Sequence, residues 1–315
     1  MVSRSPRVAI IGAGMAGLAC ARGLADHGVT PVLFDKGRGL GGRLSTRRAE
    51  GVQFDHGAQY LTAETDGFQA MLDEAEGAGA VARWPSGDGS GYVGVPGMTG
   101  LAKHLAKGLN VRQSIRVTGV SQSDAGWQVA WAGGAEGFDR VVLTVPAPQA
   151  MELLAGQNMF VDAIKAVRMD PCLALMFALP EGVTVDFDTM QDPKGPISWI
   201  ARDSSKPRRP DATCLVAHAS ADFSRKHLER HMVEVADLML PLVARMLCRE
   251  LPPNLPYLAA HRWRYALVAV PVGQPFLANE TATLYAGGDW CLGARAEDAW
   301  TSGSAIADCL VGQNP

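Results

Sequence analysis

The sequence predicts an α/β fold. A parallel sheet is assembled from both ends of the chain, and a discontinuous α+β second domain is built on a mostly antiparallel sheet. Three observations predict it. An apolar run near the start, Val8-Ala9-Ile10-Ile11, flows into Gly12-Ala13-Gly14-Met15-Ala16-Gly17, a G-x-G-x-x-G loop. Near the far end, Tyr285-Ala286-Gly287-Gly288-Asp289-Trp290 again breaks a strand into glycines. Between the two, short alternating segments separated by turn residues read as antiparallel strands.

The first loop can be read residue by residue. Residues 7–11 suit a strand buried on both faces of a parallel sheet. Gly12 permits the tight turn, Gly14 lets the backbone approach a pyrophosphate, and Gly17 lets the next helix pack close to the strand, beside Ala16. That helix is expected from about Met15 to His27, ending at Gly28, a residue suited to a left-handed C-cap. Its first N–H groups and partial positive charge favour a phosphate. Val32-Leu33-Phe34-Asp35 then reads as a second strand, begun after Pro31 and closed by an acid. That carboxylate can take both ribose hydroxyls of an adenosine and would repel a 2′-phosphate. Strand, helix and terminal acid together predict a Rossmann-type dinucleotide site. Glycines serving packing alone would leave Asp35 without a purpose.

The loop after Asp35 narrows the dinucleotide. Lys36-Gly37-Arg38-Gly39-Leu40-Gly41-Gly42-Arg43 places adjacent glycines and an arginine just past the ribose acid. The glycines again allow close approach, and Arg43 can neutralise or position pyrophosphate charge. A nicotinamide dehydrogenase needs only the first loop, whereas a flavin adenine dinucleotide (FAD) site threaded through the molecule uses both ends. The run resembles the second glycine motif of the flavin-containing amine oxidase superfamily. Further segments sharpen the resemblance: Asp55-His56 before Gly57-Ala58-Gln59-Tyr60, Thr144 to Gln149, and His261-Arg262-Trp263-Arg264-Tyr265-Ala266. Gly288-Asp289-Trp290-Cys291, with Ala294 to Trp300 soon after it, completes the set. Together they are similar to the renalase branch of that superfamily in its bacterial form, over essentially the whole chain. Two positions depart from its pattern: His56 stands where an apolar residue such as Met is expected, and Asp298 where Gly is expected.

The resemblance implies noncovalent FAD. It places Gly12, Gly14, Ala16, Gly17, Asp35, Lys36, Gly42, Arg43, His56, Gly57 and Ala58 at the cofactor, with Val111 meeting the adenine through its backbone. From the far end it adds Gly288, Asp289, Arg295, Glu297, Asp298 and Ala299. Asp289 is expected by the ribityl or phosphate oxygens, and N–H groups around Ala299 at the flavin pyrimidine edge, where a helix N-terminus favours negative charge. Superfamily members with covalent flavin carry a cysteine upstream of the last motif, and residues 250–286 contain none.

The substrate face is read from strand periodicity, which puts His261, Trp263 and Tyr265 on one side and the arginines between them on the other. The aromatic side is either a wall above the flavin or core packing. Gln59 and Tyr60, just past the Gly57 turn, are the other pocket candidates, and no catalytic residue is assigned beyond flavin N5. By resemblance the substrate is a 2- or 6-dihydro isomer of NAD(P)H, oxidised to NAD(P)+ by hydride transfer to N5, with O2 reduced to H2O2. The alternative is a flavin amine oxidase acting on a small amine or polyamine, for which a line of carboxylates is expected near Gln59 or His261. A third reading is a non-catalytic flavin-binding or signalling protein.

Composition bounds the rest. A chain of 315 residues suffices for two domains with substantial cores. Its net charge of −3 carries no footprint for nucleic acid, and no uncharged apolar run reaches membrane-spanning length. Six cysteines form no C-x-x-C pair, so neither zinc nor a dithiol is expected. The apolar stretch after Arg4 and Arg7 mimics a signal peptide, but its glycine pattern makes it structural, so a cytoplasmic enzyme is expected. His227 and His231 in H-L-E-R-H lack the spacing of a zinc-protease helix, and Ser302 and Ser304 lack nucleophile partners. Arg208-Arg209 between prolines reads as a solvated turn, or a phosphate loop if the substrate is a nucleotide.

Residues 1–60, 94–155 and 273–315 are assigned to the FAD-binding domain, and 61–93 and 156–272 to the substrate domain. Pro85 to Gly91 is polar and glycine-rich. A helix is expected near Leu101–Gly108, then a meander over Val111–Val120, Trp127–Trp131 and Phe138–Val145, with 139–146 as a buried parallel strand. The second domain is expected to hold strands near Cys172–Ala178, Ser198–Ala201, Thr213–Ala217 and Tyr257–Val268. One helix, Arg225 to Arg249, should be kinked or divided by Pro241. A strand at Thr283–Ala286 and a helix to Cys309 close the chain.

Overall fold

A computed structural model describes residues 6–85, 91–155 and 159–312. Arg4 and most of the glycine-rich stretch, residues 86–90, lie outside the described residues. Strand β1 (Val8–Ile11) runs into helix α1 (Met15–Asp26), which returns to β2 (Val32–Phe34). A hairpin comes next, β3 (Thr46–Ala49) with β4 (Val52–Asp55). Helix α2 (Asp66–Gly77), strands β5 (Val81–Trp84) and β6 (Gly91–Gly94) and helix α3 (Thr99–Leu105) lead to β7 (Asn110–Arg112). Then come β8 (Val117–Ser123), β9 (Gly126–Trp131), β10 (Gly134–Phe138) and β11 (Arg140–Leu143). Helices α4 (Ala147–Leu153) and α5 (Val161–Ala166) precede β12 (Arg168–Ala178), β13 (Thr189–Gln191), β14 (Ile197–Arg202) and β15 (Cys214–Ala219). Helices α6 (Ala221–His227) and α7 (Met232–Met246) then lead to the long β16 (Tyr257–Val270). The chain closes with β17 (Phe276–Ala278), β18 (Leu284–Gly287) and α8 (Ala296–Gly312).

The nucleotide-binding sheet has the order β17-β18-β11-β1-β2-β7. Its pairings are parallel except at β17, which runs antiparallel on the β18 edge. Every residue of β1 is buried, as expected for a central strand covered on both faces. One face carries α1 and α8, whose Leu18, Leu24, Ile306 and Leu310 share a core. The other is covered by the antiparallel β10-β9-β8 sheet, through Val120, Trp127, Val129 and Phe138. The second large sheet, β13-β14-β15-β12-β16, is antiparallel throughout. Its apolar face takes Val235, Met239 and Val243 of α7. Among the described residues no helix is long and apolar enough to cross a membrane.

Two sequence expectations are corrected. The single helix 225–249 is two helices. His231 is extended (φ −64°, ψ 144°), and its Nδ1 accepts the Val233 N–H at 3.4 Å, capping a new helix at Met232. Pro241 lies inside that helix without dividing it. His227 and His231 therefore flank a break instead of sharing a face. The run 111–120 also splits: Ser114 adopts φ +59°, so β7 stays in the nucleotide sheet and β8 opens the separate meander. In the stretch 61–93, Leu61, Phe68, Leu72, Ala75, Val81 and Tyr92 pack in one core with α1 and α8, whereas Trp84 and Val93 of the same stretch pack with Ala201 and Trp199 of the antiparallel sheet.

The α1–α8 contact depends on backbone touching backbone, because a Cβ on Gly303 would collide with the Ala16 carbonyl oxygen. Gly303→Ala should cost about 1–3 kcal/mol through forced separation of two helices. Gly77→Ala, where a Cβ meets nothing within 4 Å, should stay within about 0.5 kcal/mol of the parent. Urea midpoints of the two variants check the contrast.

Candidate functional site: a dinucleotide cradle and an aromatic–imidazole face

The cradle is built mainly from backbone. Gly12 turns at φ +113°, and a Cβ on Gly17 would strike its carbonyl oxygen, so α1 starts hard against the end of β1. No side chain caps α1 at Gly14, which leaves first-turn N–H groups for an anion. A Cβ on Gly14 would meet nothing within 4 Å, so the space in front of the helix is open. Asp35 accepts the Ala13 N–H through Oδ2 and the Gly37 N–H through Oδ1, each at 2.6 Å. Its carboxylate is thereby fixed between the two glycine loops. The Gly41 N–H donates to the Ala13 carbonyl at 2.9 Å, and Gly42 lies opposite Gly14. Val111 pairs with Leu33 on the neighbouring strand. Lys36 donates to Gln149 Oε1 at 3.0 Å, and burial, then the Arg116 charge, lowers its pKa.

The far end of the chain closes on this cradle. Arg43 grips Asp289 as a fork, Nη1 to Oδ2 at 2.5 Å and Nη2 to Oδ1 at 2.7 Å, and also donates to the Ala266 carbonyl at 2.9 Å. The cation expected to serve pyrophosphate charge is therefore already compensated by Asp289. The Ala266 carbonyl reaches it because β16 bulges between Trp263 and Leu267, where the register against β12 slips. That slip also carries Tyr265 off the regular alternation. Glu297 is buried, and accepts from the Thr65 N–H and hydroxyl at 2.7 Å and from the Glu64 N–H at 3.0 Å. Asp298 caps the start of α8 through the Arg295 N–H at 2.9 Å, while Arg295 itself pairs with Glu64. The side chains of Arg295, Glu297 and Asp298 are thus committed to the protein itself. Gly288 turns at φ +147° and its N–H donates to Ser302 Oγ at 2.8 Å, while Ala299 is buried in the first turn of α8.

The hairpin carries the chain to the second face. Gly57 is required there, because a Cβ would meet the Arg43 carbonyl oxygen, which accepts the Ala58 N–H at 3.0 Å. His56 is only 5% exposed. Its ring lies nearly parallel to Trp263 (5.2 Å between centroids, 18°) and edge-on to His261 (4.6 Å, 66°). The His56 carbonyl accepts Trp263 Nε1–H at 2.8 Å and lies 3.3 Å from His218 Nε2. Burial, then the charges of His261, Arg47 and His218, depress the His56 pKa to about 3. Burial likewise lowers His218 and His261 to about 4. All three imidazoles are neutral at physiological pH. As expected, Arg262 and Arg264 point to the opposite side, where both pair with Glu229.

Beneath this face lie four charged side chains with no exposure to water: Asp55, Asp203, Lys206 and Arg209. Lys206 donates to Asp203 at 2.7 Å, and Arg209 pairs with Asp55. Arg209 is therefore a buried ion-pair partner, and the solvated turn expected at Arg208-Arg209 is corrected. Burial raises the Asp203 pKa; at Asp55 the same penalty is outweighed by Lys206 and Arg209. Lys206 also donates to Gln59 Oε1 at 3.2 Å, and Gln59 Nε2 bonds the Asp55 and Gly57 carbonyls. Gln59 is thus turned inward as a brace of the turn. Tyr60 is 37% exposed and packs near Trp199. Sequence reasoning missed Lys206, His218 and Asp203, since a single polar residue in an apolar strand or loop carries no local signal of its partners.

The arrangement fits a bound dinucleotide. The helix is uncapped, the space at Gly14 is open, and His56 Nδ1 is buried without a partner. Lys206→Met should cost about 3–5 kcal/mol by leaving buried carboxylates short of a cation. Combining it with Asp203→Asn should restore part of that loss in denaturant unfolding. Each histidine has a folded pKa below its ordinary 6.5. The unfolded chain therefore binds more protons below that pH, and stability falls as pH drops from 6.5 toward 4. The Tm of the parent should fall through this window, with a shallower fall for His56→Met.

Comparison with known proteins agrees with this geometry. The profile of an NAD(P)-binding Rossmann-like domain matches residues 10–75, and that of flavin containing amine oxidoreductases matches residues 75–311. Renalase from Mus musculus is 28% identical over 301 residues, spanning 84% of this chain and 86% of its own. A structure from Exiguobacterium sp. 255-15, provisionally described as a protoporphyrinogen oxidase, superposes with a TM-score of 0.81 at 14% identity. That match covers 99% of this chain and 100% of the other. A fatty acid isomerase from P. acnes superposes at 0.73 with 11% identity, over 98% of this chain and 99% of its own, a likeness of fold alone. The chain belongs to the flavin containing amine oxidoreductase family, as a renalase-like member with FAD as its cofactor.

Proposed function

We propose that the protein oxidises 2- and 6-dihydro isomers of NAD(P)H to NAD(P)+, with O2 taken to H2O2. The observation that carries this reading is the charge state of the substrate face. Trp263 and three neutral imidazoles line it, while Asp55 and Asp203 below it are consumed by Lys206 and Arg209. Among the described residues no carboxylate there is left to receive an ammonium group. Noncovalent FAD, when bound, supplies the hydride acceptor and the route of electrons to oxygen. The hydride leaves a ring that becomes aromatic, so the protein needs neither acid nor base at the reacting carbon; it must hold a flat ring close and aligned. Trp263, clamped to the His56 carbonyl, provides a rigid plane for that purpose. Burial of His56 and Gln59 limits water at the same face. One hydride from the substrate and one proton from solvent balance the conversion of O2 to H2O2.

Anaerobic titration monitored by flavin absorbance tests this reading. Bleaching by a 2- or 6-dihydro isomer is expected; bleaching by an amine instead would make the protein an amine oxidase, and bleaching by neither would remove the catalytic reading. Trp263→Ala should slow flavin reduction by about ten- to a thousandfold while leaving reoxidation by oxygen much less changed. Unchanged reduction in a merely less stable protein would place Trp263 in the core alone.

A further inference from the structure

A cation stands beside the imidazole face with no acid paired to it, unlike Arg43 and Arg209 nearby. Arg47 lies on β3 opposite Phe54, whose ring stacks on Tyr257 (4.9 Å, 26°). Its Nη1 donates to the Tyr257 hydroxyl at 3.5 Å. Tyr257 and His261 lie in the regular part of β16, four residues apart and so on one side of the strand. Among the described residues no carboxylate oxygen comes within 4 Å of Arg47. By contrast, Arg43, Arg202, Arg209 and Arg264 each hold an acid. The nearest buried acid on the same hairpin, Asp55, turns to Thr46, Met98 and Arg209. Two positive and two negative charges make the buried quartet neutral, and the histidines are neutral. Arg47 therefore sets the sign of the face, and its charge contributes to depressing both His56 and His261.

We propose that Arg47, with the Tyr257 hydroxyl beside it, binds an anionic group of the substrate, the 5′-phosphate attached to the ribose of the reacting ring. The inference rests on the dihydropyridine reading and gives it a specificity residue. A half-buried guanidinium is weakly hydrated and matches phosphate geometry with several donors. The same charge repels an ammonium substrate. The phosphate would anchor one end of the molecule along β16 while the ring lies at Trp263 and His56, so Arg47 acts on binding and leaves the reacting carbon to the aromatic face.

The holoenzyme and its Arg47→Met and Arg47→Lys variants test this in anaerobic stopped flow. The paired substrates are the 6-dihydro mononucleotide and the corresponding riboside, which lacks the phosphate. Arg47→Met should raise the half-saturating concentration of the mononucleotide by about ten- to a hundredfold, with the limiting rate unchanged and the riboside unaffected. Arg47→Lys should fall between, and flavin content should confirm that the variants fold. Equal shifts for both ligands, or no shift for either, would overturn the proposal. Inorganic pyrophosphate, read by its perturbation of the flavin spectrum, provides an arm without turnover. Should no dihydropyridine bleach the parent, the functional reading falls; the anion site then stands if Arg47→Met abolishes pyrophosphate binding, and falls if it does not.

Discussion

Four charges removed from water impose the main constraint on this molecule. Asp55 ends β4 of the nucleotide-binding half, while Asp203, Lys206 and Arg209 come from the loop after β14 of the antiparallel sheet. Desolvating four ions is expensive, and is tolerated only where each finds an opposite partner at short range. That requirement fixes how the hairpin meets the second sheet. Gln59 hangs from Lys206, the turn at Gly57 hangs from Gln59, and His56 precedes that turn. The imidazole face is thus positioned from below by electrostatics, beside a small apolar cluster in which Phe54 of the hairpin packs with Met176 and Val216 of the second sheet. A quartet with no net charge also leaves the field above it to whatever stands uncompensated nearby.

The nucleotide-binding half obeys a different logic. Its working groups are backbone N–H groups and the spaces left by missing side chains. Glycine patterns can encode such a site directly, because one absent Cβ decides whether two backbones touch. The fork between Arg43 and Asp289 then locks the first glycine region to the last, although 246 residues separate them. A charged fork is well suited to this, having direction as well as strength. Glu297 performs a parallel service by gathering the start of α2 onto the start of α8. Carboxylates next to the far-end glycine motif are in this way spent on assembly.

Likeness of fold sets limits on chemistry without choosing it. Superposition with a fatty acid isomerase shows that the scaffold itself is indifferent to the reaction. The face formed by His56, His261 and Trp263 carries neutral imidazoles and an indole, and the reaction proposed above rests on that chemistry and not on the scaffold.

The sequence by itself determined the elements whose physics is local. The strand–glycine–helix unit from Val8 to Asp26, the acid after Phe34, and the return through Leu284 to α8 are set by burial period, caps and turn residues that lie within a few positions of one another. The alternation at 261–264 was legible for the same reason, and placed Arg262 and Arg264 away from His261 and Trp263. Only the tertiary structure decided the rest. Whether Arg209 is solvated or buried depends on Asp55, a residue on another strand. Whether Arg43 is free depends on Asp289, and whether Gln59 points out or in depends on Lys206. The helix expected at 225–249 broke because His231 turns its own imidazole to cap the second segment. A side chain's charge, burial and direction are settled by its partners, and these partners lie far along the chain, where periodicity and local propensity carry no information.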